Sequence, residues 1–186
     1  MADKSTMAVD YSLGQLERVR ATSLYVATKL GDLLNDIVVV GGLVPSLIVD
    51  QTSLPEGTEV HSGTHDLDLG LALALLDHER YRAISQRLRE AGFSPDVNEQ
   101  GNPTRQRWRV RSPDATVTVD FLIPPSRPSD QGGALRNLEV DFAAFIISGL
   151  RLAFLDRQTV RLSGKTIFGN RPSGTCRSAV QAPSWR

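Results

Sequence analysis

The sequence contains a single cysteine, Cys176, in 186 residues, which excludes an intramolecular disulfide and a cysteine-built zinc site. Histidine is nearly as scarce: His61, His65 and His78 are the only three, too few for a histidine-rich phosphohydrolase centre. Net charge is absent, because 21 Lys and Arg offset 21 Asp and Glu. No global basic field draws the chain onto nucleic acid, so any polyanion contact must come from a local patch. No apolar run approaches the roughly 20 residues that cross a bilayer, and the N-terminus carries no basic-then-apolar leader. The expectation is a cytoplasmic protein with no membrane association. No Ser-His-Asp pattern and no nucleic-acid-binding helix stands out.

What the chain does have is an ordinary globular composition, 40% apolar and 23% charged, enough for one domain with its own core. Residues 1 to 12 are expected to be disordered, residues 13 to 168 to form the domain, and residues 169 to 186 to form a disordered tail. Ser12 and Gln15 have capping-box spacing, and Leu16, Val19, Ser23, Ala27, Leu30 and Leu34 recur at gaps of three and four, which predicts a helix over 13 to 35. Ile37-Val38-Val39-Val40 reads as a strand buried on both faces, ending at Gly41-Gly42. Pro45 suits the first turn of a helix running to Val49. A polar loop over 51 to 64 and a strand over 65 to 73 follow. Asp77 is placed to cap a helix whose face carries Tyr81, Ile84, Leu88 and Ala91, with Gly92 as its C-terminal cap.

Residues 105 to 111 and 116 to 123 alternate and are joined by Ser112-Pro113-Asp114-Ala115, which predicts a β-hairpin. If Arg111 pairs with Thr116 across that turn, Arg109 faces Thr118 and Arg107 faces Asp120. Residues 126 to 136 read as a Pro/Ser/Gly-rich loop, and 150 to 155 with 159 to 163 as a further hairpin with Asp156-Arg157 at its tip. Beyond Gly169 the alternation stops, and Cys176 in that stretch is a poor nucleophile candidate.

The residues with chemical potential fall on these elements in a definite order. A strand ending in two glycines lets a triphosphate approach the backbone with no β-carbon in the way. Asp66 and Asp68 lie two apart on one strand, so their carboxylates share a face about 6–7 Å apart while Leu67 and Leu69 turn to the core. Paired hard oxygens of this kind hold divalent cations. Val117, Val119, Phe121 and Ile123 form a core face of their strand, leaving Asp120 on the other with Thr116 and Thr118. A third carboxylate from a neighbouring strand would complete a two-metal site and help deprotonate an attacking hydroxyl. Arg107 and Arg109 share its side, either as a charged face or as phosphate or RNA-backbone contacts.

The strand-borne Gly-Gly, the downstream Asp-x-Asp and the later aspartate resemble the nucleotidyltransferase superfamily with the polymerase-β-type fold. Val38-Val39-Val40-Gly41-Gly42, Thr64-His65-Asp66-Leu67-Asp68-Leu69 and Leu88-Arg89-Glu90-Ala91-Gly92-Phe93 look most like the AbiEii/AbiGii toxin group, the toxin half of bacterial abortive-infection and toxin–antitoxin pairs. The resemblance covers roughly residues 35 to 125. It implies an α+β fold with a nucleotidyltransferase-like mixed β-sheet, helices packed on it and an N-terminal helix. It also implies nucleotide binding by Gly41 and Gly42, and catalysis and Mg²⁺ binding, at two metal positions, by Asp66, Asp68 and Asp120; Thr64, Arg107 and Arg109 are the further candidates for nucleotide contact. The implied activity is transfer of a nucleoside monophosphate from an NTP to a hydroxyl of RNA, tRNA or protein, with an antitoxin as partner. The other reading is a non-catalytic domain that keeps the fold and binds a nucleotide or an antitoxin. The gap between Gly42 and Asp66 is long for the superfamily, Gly42 stands where serine is commoner, and the family's helical C-terminal region has no counterpart, which together predict a shortened, weakly active member.

Overall fold

Regular hydrophobic spacing near the N-terminus becomes helix α1, Leu13–Leu30, which buries Val19, Ser23, Ala27 and Leu30 along one face. It stops short of residue 35 because Gly31 takes φ +54°, and the chain passes into a 3-10 segment, Gly31–Asp36. The computed structural model describes residues 13–49, 55, 64–72 and 78–179. Residues 1–12, expected to be disordered, residues 180–186, the expected cap at Asp77 and, apart from Pro55 and Thr64, the expected loop over 51 to 64 lie outside the described residues.

The β-branched run forms strand β1, Ile37–Val40, followed by a 3-10 turn, Gly41–Leu43, and helix α2, Val44–Ile48, with Pro45 in its first turn. Strand β2, Asp66–Leu71, and helix α3, His78–Glu90, come next, and Gly92 at φ +85° ends the helix. Strands β3 (Ser94–Val97), β4 (Pro103–Arg111), β5 (Thr116–Ile123), β6 (Leu135–Asn137) and β7 (Ala143–Ile146) precede helix α4 (Leu150–Leu155) and strands β8 (Arg157–Ser163) and β9 (Ser173–Ala179). They make an α+β fold on one mixed open sheet of order β3-β4-β5-β2-β1-β9-β8. Strand β7 joins β5 in parallel at Leu122 and Ile123, beyond the stretch that pairs with β4, and β6 pairs with β7.

The two sheet faces have different coverings. Leu67, Leu69 and Leu71 of β2 and Val117, Val119, Phe121 and Ile123 of β5 point to a core shared with Val19, Leu24 and Leu30 of α1 and Ile84 and Leu88 of α3. Trp108, Phe121 and Phe142 meet edge-to-face in that core, with ring centroids 4.8–6.0 Å apart. The Tyr25 hydroxyl donates to the Ala91 carbonyl at 2.9 Å, tying α1 to the end of α3. On the opposite face α4 covers only part of the sheet: at Gly70 a β-carbon would meet Val38 Cγ1 at 2.9 Å, Leu150 Cδ1 at 3.3 Å and Phe154 Cζ at 3.5 Å. Glycine at position 70 is what lets that helix lie close, and Asp66 and Asp68 lie on the same face, toward the start of β2.

Three expectations need correction. Residues 150 to 155 are helix and not the first arm of a hairpin: Gly149 turns at φ +85°, and Leu150 and Phe154, one helical turn apart, both reach Gly70. Strand β8 therefore has a different antiparallel partner. That partner is β9, in the stretch expected to be a disordered tail; it pairs with β8 from Arg157↔Ala179 to Ser163↔Ser173 and in parallel with β1 at Val39↔Ser178. Its small residues hid it, and the reason they are small is proximity: a β-carbon at Gly174 would lie 3.3 Å from Leu24 Cδ1 and 3.7 Å from Ala27 Cβ of α1. Finally, the loop expected over 126 to 136 gives way to strand β6 at Leu135.

Candidate functional site

Strand alternation and register build the site. Along β2, Leu67 and Leu69 are buried while Asp66 and Asp68 keep partial exposure on the other face. Val40 of β1 lies opposite Asp68, Asp68 lies opposite Asp120 of β5, and Asp120 lies opposite Arg107 of β4. One row across four strands thus reads Val40, Asp68, Asp120, Arg107. The neighbouring row reads Asp66, Thr118, Arg109. The hairpin register is the one expected from the four-residue turn.

Gly41 follows Val40 directly and takes φ +73°. A β-carbon there would collide with the Asp68 carboxylate, whose Cγ would be 3.1 Å away and Cβ 3.4 Å. The first glycine of the pair therefore makes room for a carboxylate as well as for a turn. Gly42 sits within the 3-10 turn Gly41–Leu43 and has no positive φ. Helix α2 behind it has five residues, so few peptide dipoles align toward an anion.

Asp66 is oriented from two sides. The buried Thr64 hydroxyl donates to its Oδ1 at 3.0 Å, and Arg107 Nη2 donates to its Oδ2 at 3.3 Å. The Asp66 amide in turn donates to Thr64 Oγ1 at 3.4 Å. Thr64, expected to touch nucleotide, here fixes a carboxylate.

Arg107 grips Asp120 with two bonds, Nε to Oδ1 at 2.7 Å and Nη2 to Oδ2 at 2.5 Å. This is the bidentate, charge-assisted geometry in which a guanidinium binds a carboxylate most strongly. The Asp120 side chain is 11% exposed and that of Arg107 33%. The hydrogen bonds to Asp120 raise the Arg107 pKa above the ordinary guanidinium value, outweighing the opposing effect of burial. At an effective dielectric constant of about 20, unit charges ~4–5 Å apart interact by ~3–4 kcal/mol. One guanidinium therefore offsets about one carboxylate of this cluster and leaves Asp66 and Asp68 to supply negative charge.

Arg109 shares the face but is engaged elsewhere: its Nη1 donates to Asp96 Oδ1 at 3.0 Å. Asp96 belongs to β3, an element that Ser94-Pro95-Asp96-Val97 conceals because proline cannot donate to a ladder. β3 tolerates Pro95 as an edge strand with an irregular register between Pro95 and Val97. Apart from the spacing of the charges, no signal in the sequence points to Asp96.

The magnesium implied by the resemblance can be tested against these donors. Asp66 and Asp68 offer the hard oxygens that Mg²⁺ selects, and Mg²⁺ commonly takes one or two carboxylates and completes its shell with water and substrate phosphates. Among the described residues no group of three His, Cys, Asp or Glu side chains gathers to hold one ion. The donors present fit one ion at Asp66 and Asp68. Asp120 stands directly across from Asp68, and each of its oxygens accepts one hydrogen bond from Arg107. A separate cleft of about 560 Å³, between α1, the β4–β5 turn and the segment after β8, includes none of these residues.

Compared with known protein families, with curated proteins and with solved structures, the chain matches none.

Proposed function

We propose that this chain is a magnesium-dependent nucleotidyltransferase that moves a nucleoside monophosphate from an NTP to an acceptor hydroxyl. One observation carries the reading: the Gly41 turn, Asp68, Asp120 and Arg107 form a continuous row across adjacent strands, with Asp66 beside it. In the reaction an acceptor oxygen bonds to the α-phosphorus and the bond to the bridging oxygen of the β-phosphate breaks. Pyrophosphate leaves, and the acceptor proton passes to a carboxylate of the site. Catalysis of this kind is mostly positioning and charge neutralisation, which suits a rigid strand-borne cluster better than a mobile loop.

The residues divide that work. Asp66, fixed by Thr64, and Asp68, seated over Gly41, would hold the ion. Bound there, magnesium supplies Lewis-acid neutralisation of the triphosphate charge. Arg107 fixes Asp120 and adds a permanent positive charge. The likeness to the AbiEii/AbiGii toxin group supports RNA or tRNA as acceptor and an antitoxin protein as partner.

The direct experiment incubates the protein with each α-labelled NTP, Mg²⁺ and total RNA, and follows the label. Transfer that disappears in Asp68→Asn supports the reading. A second reading, a nucleotide- or antitoxin-binding domain without turnover, is favoured by the bidentate pairing of Asp120 with Arg107. NTP binding with no labelled product from any of the four nucleotides, on RNA or on protein, would decide for that second reading.

A further inference from the structure

We propose that the cleft between the loop after β5 and strand β6 binds a phosphate group, free or esterified, through Arg127 and Arg136. Asp66, Asp68, Asp120 and Arg107 do not line it, so the inference stands whichever reading of their cluster holds.

The cleft has a volume of about 410 Å³, and Arg136 forms part of its wall although the residue is only 9% exposed. Arg136 Nη1 donates to Ser126 Oγ at 2.7 Å, and Nη2 donates to the Asp130 carboxylate. A guanidinium carries five N–H donors, and the others on Arg136 meet no acceptor among the described residues. Donors on a largely buried side chain are normally paired, so each exception calls for an explanation. Asp130 is committed to the loop: its Oδ2 also accepts from the Ser126 and Arg127 amides, at 2.7 and 2.8 Å. That carboxylate offsets one guanidinium. The second, on exposed Arg127 at the rim, forms no ion pair among the described residues. The cleft is left with an excess of about one positive charge, which arginine does not shed at any ordinary pH.

A second observation points the same way. Tyr81 of α3 is 5% exposed, and its hydroxyl has no hydrogen-bond partner among the described residues. Burial pushes its pKa up to about 12, and the charges of Arg136 and Arg127 act against that rise, so both guanidiniums lie within electrostatic reach of it. Around Arg136, donors outnumber acceptors. A phosphate group corrects that imbalance: it brings three strong acceptor oxygens and a charge of about −1.5 to −2 at pH 7. One edge can take the planar fork of Arg127 and another the unused N–H groups of Arg136. Ser129, Gln131 and Asn137, also on the wall, add neutral donors. A carboxylate, with two oxygens and a single charge, satisfies fewer of these groups.

Isothermal titration calorimetry on the full chain tests this, without Mg²⁺ and with ionic strength held constant by sodium chloride. One arm uses inorganic phosphate and the other ribose 5-phosphate. Saturable binding of either is expected, and the tighter of the two identifies the source of the group. Arg127→Gln should raise the dissociation constant by about ten- to a hundredfold, the worth of one hydrogen bond to a charged group. Arg136→Lys, which keeps the charge opposite Asp130 but loses the fork, should do the same. Arg109→Gln, in the other cluster, should leave binding unchanged. No saturable binding of either ligand, binding that survives Arg127→Gln unaltered, or binding lost in Arg109→Gln would each overturn the proposal without touching the nucleotidyltransferase reading. Circular dichroism verifies folding of each variant. The Arg127→Gln arm decides the matter even if Arg136→Lys does not fold, because Arg127 is exposed and its amide, which holds Asp130, is retained.

Discussion

The Asp68 carboxylate occupies the volume that a β-carbon on residue 41 would need. This makes the identity of Gly41 a property of the site and not only of the turn. Gly41→Ala should meet two penalties: about 1–2 kcal/mol for placing an L-residue at φ +73°, and displacement of Asp68 from its seat. Urea unfolding measures the first and NTP turnover the second. An alanine variant that keeps full turnover would show that the seat of Asp68 is not needed.

Asp66→Asn and Asp68→Asn should each lower turnover by roughly 10²–10⁴-fold, a loss on the scale of removing one preorganised electrostatic contact or more. Asp66→Asn should also lose stability, because it weakens the contacts to Thr64 and Arg107, whereas Asp68→Asn should differ in sign from the usual mutation. Asp68 lies directly across from Asp120 on a parallel pair, so neutralising it relieves a like-charge contact. Asp68→Asn is expected to be as stable as the unmodified chain or more so. A loss above about 1 kcal/mol in urea would indicate a structural residue, since conservative surface changes stay within ~0.5 kcal/mol.

Arg107 and Arg109 look equivalent in a sequence but should not behave alike. Arg107→Ala leaves a largely buried Asp120 without its only side-chain partner among the described residues, and breaking such a pair typically costs ~3–5 kcal/mol. Arg109→Ala breaks one bond to a partly exposed Asp96, for which ~0–1 kcal/mol is the usual cost, and should leave NTP affinity within a few-fold. Thermal unfolding of the two variants side by side gives the comparison, and equal losses would contradict it.

Cys176 reports on β9. The side chain is 3% exposed, and burial pushes its thiol pKa up to about 11. Because the thiolate is the reactive form, alkylation at pH 8 should be slower than for a free thiol by ~10²-fold or more, and fast only after unfolding. Fast alkylation of the native chain would put β9 out of the sheet. The same shift sets a pH dependence. Above the ordinary thiol value of 9.0 the unfolded chain loses its proton while the native chain keeps it, so stability falls as pH rises from 9.0 toward about 11. Tyr81, whose pKa burial pushes up to about 12 from 10.0, extends the decline at the upper end. Urea midpoints at pH 8 and pH 10.5 should show the fall, and Cys176→Ala should flatten its lower part.

The parts of the fold that were legible before the structure are those where side-chain period and secondary structure agree. Helix α1, strand β2 and the β4–β5 hairpin each bury one recognisable face, strand β1 buries both up to the glycine pair, and the turn length alone sets Arg107 against Asp120. The parts that were missed depend on tertiary context. Leu150–Leu155 is apolar enough for strand or helix, and its packing over Gly70 is a tertiary contact that the sequence does not display. Ser173–Ala179 shows no apolar alternation because α1 approaches too closely to admit large side chains at Gly174. The roles of Thr64 and Asp96 were hidden for the same reason. A hydroxyl and a carboxylate carry no mark of the partner they will meet, and both partners here are reached through the fold.

The position of β9 also has a consequence for the order in which the protein is made. Val39 in β1 is paired on one side by β2, from the same half of the chain, and on the other by Ser178 in β9. On the ribosome, β1 emerges long before β9, so one of its edges stays open until Ser173–Ala179 has followed. Open apolar edges are templates for pairing with other chains. A stop codon anywhere between β8 and β9 would therefore yield a sticky product, with the strand that ends at Val40 unpaired along one side. Solubility of nascent chains released at residue 170 and at residue 186 would compare the two conditions directly.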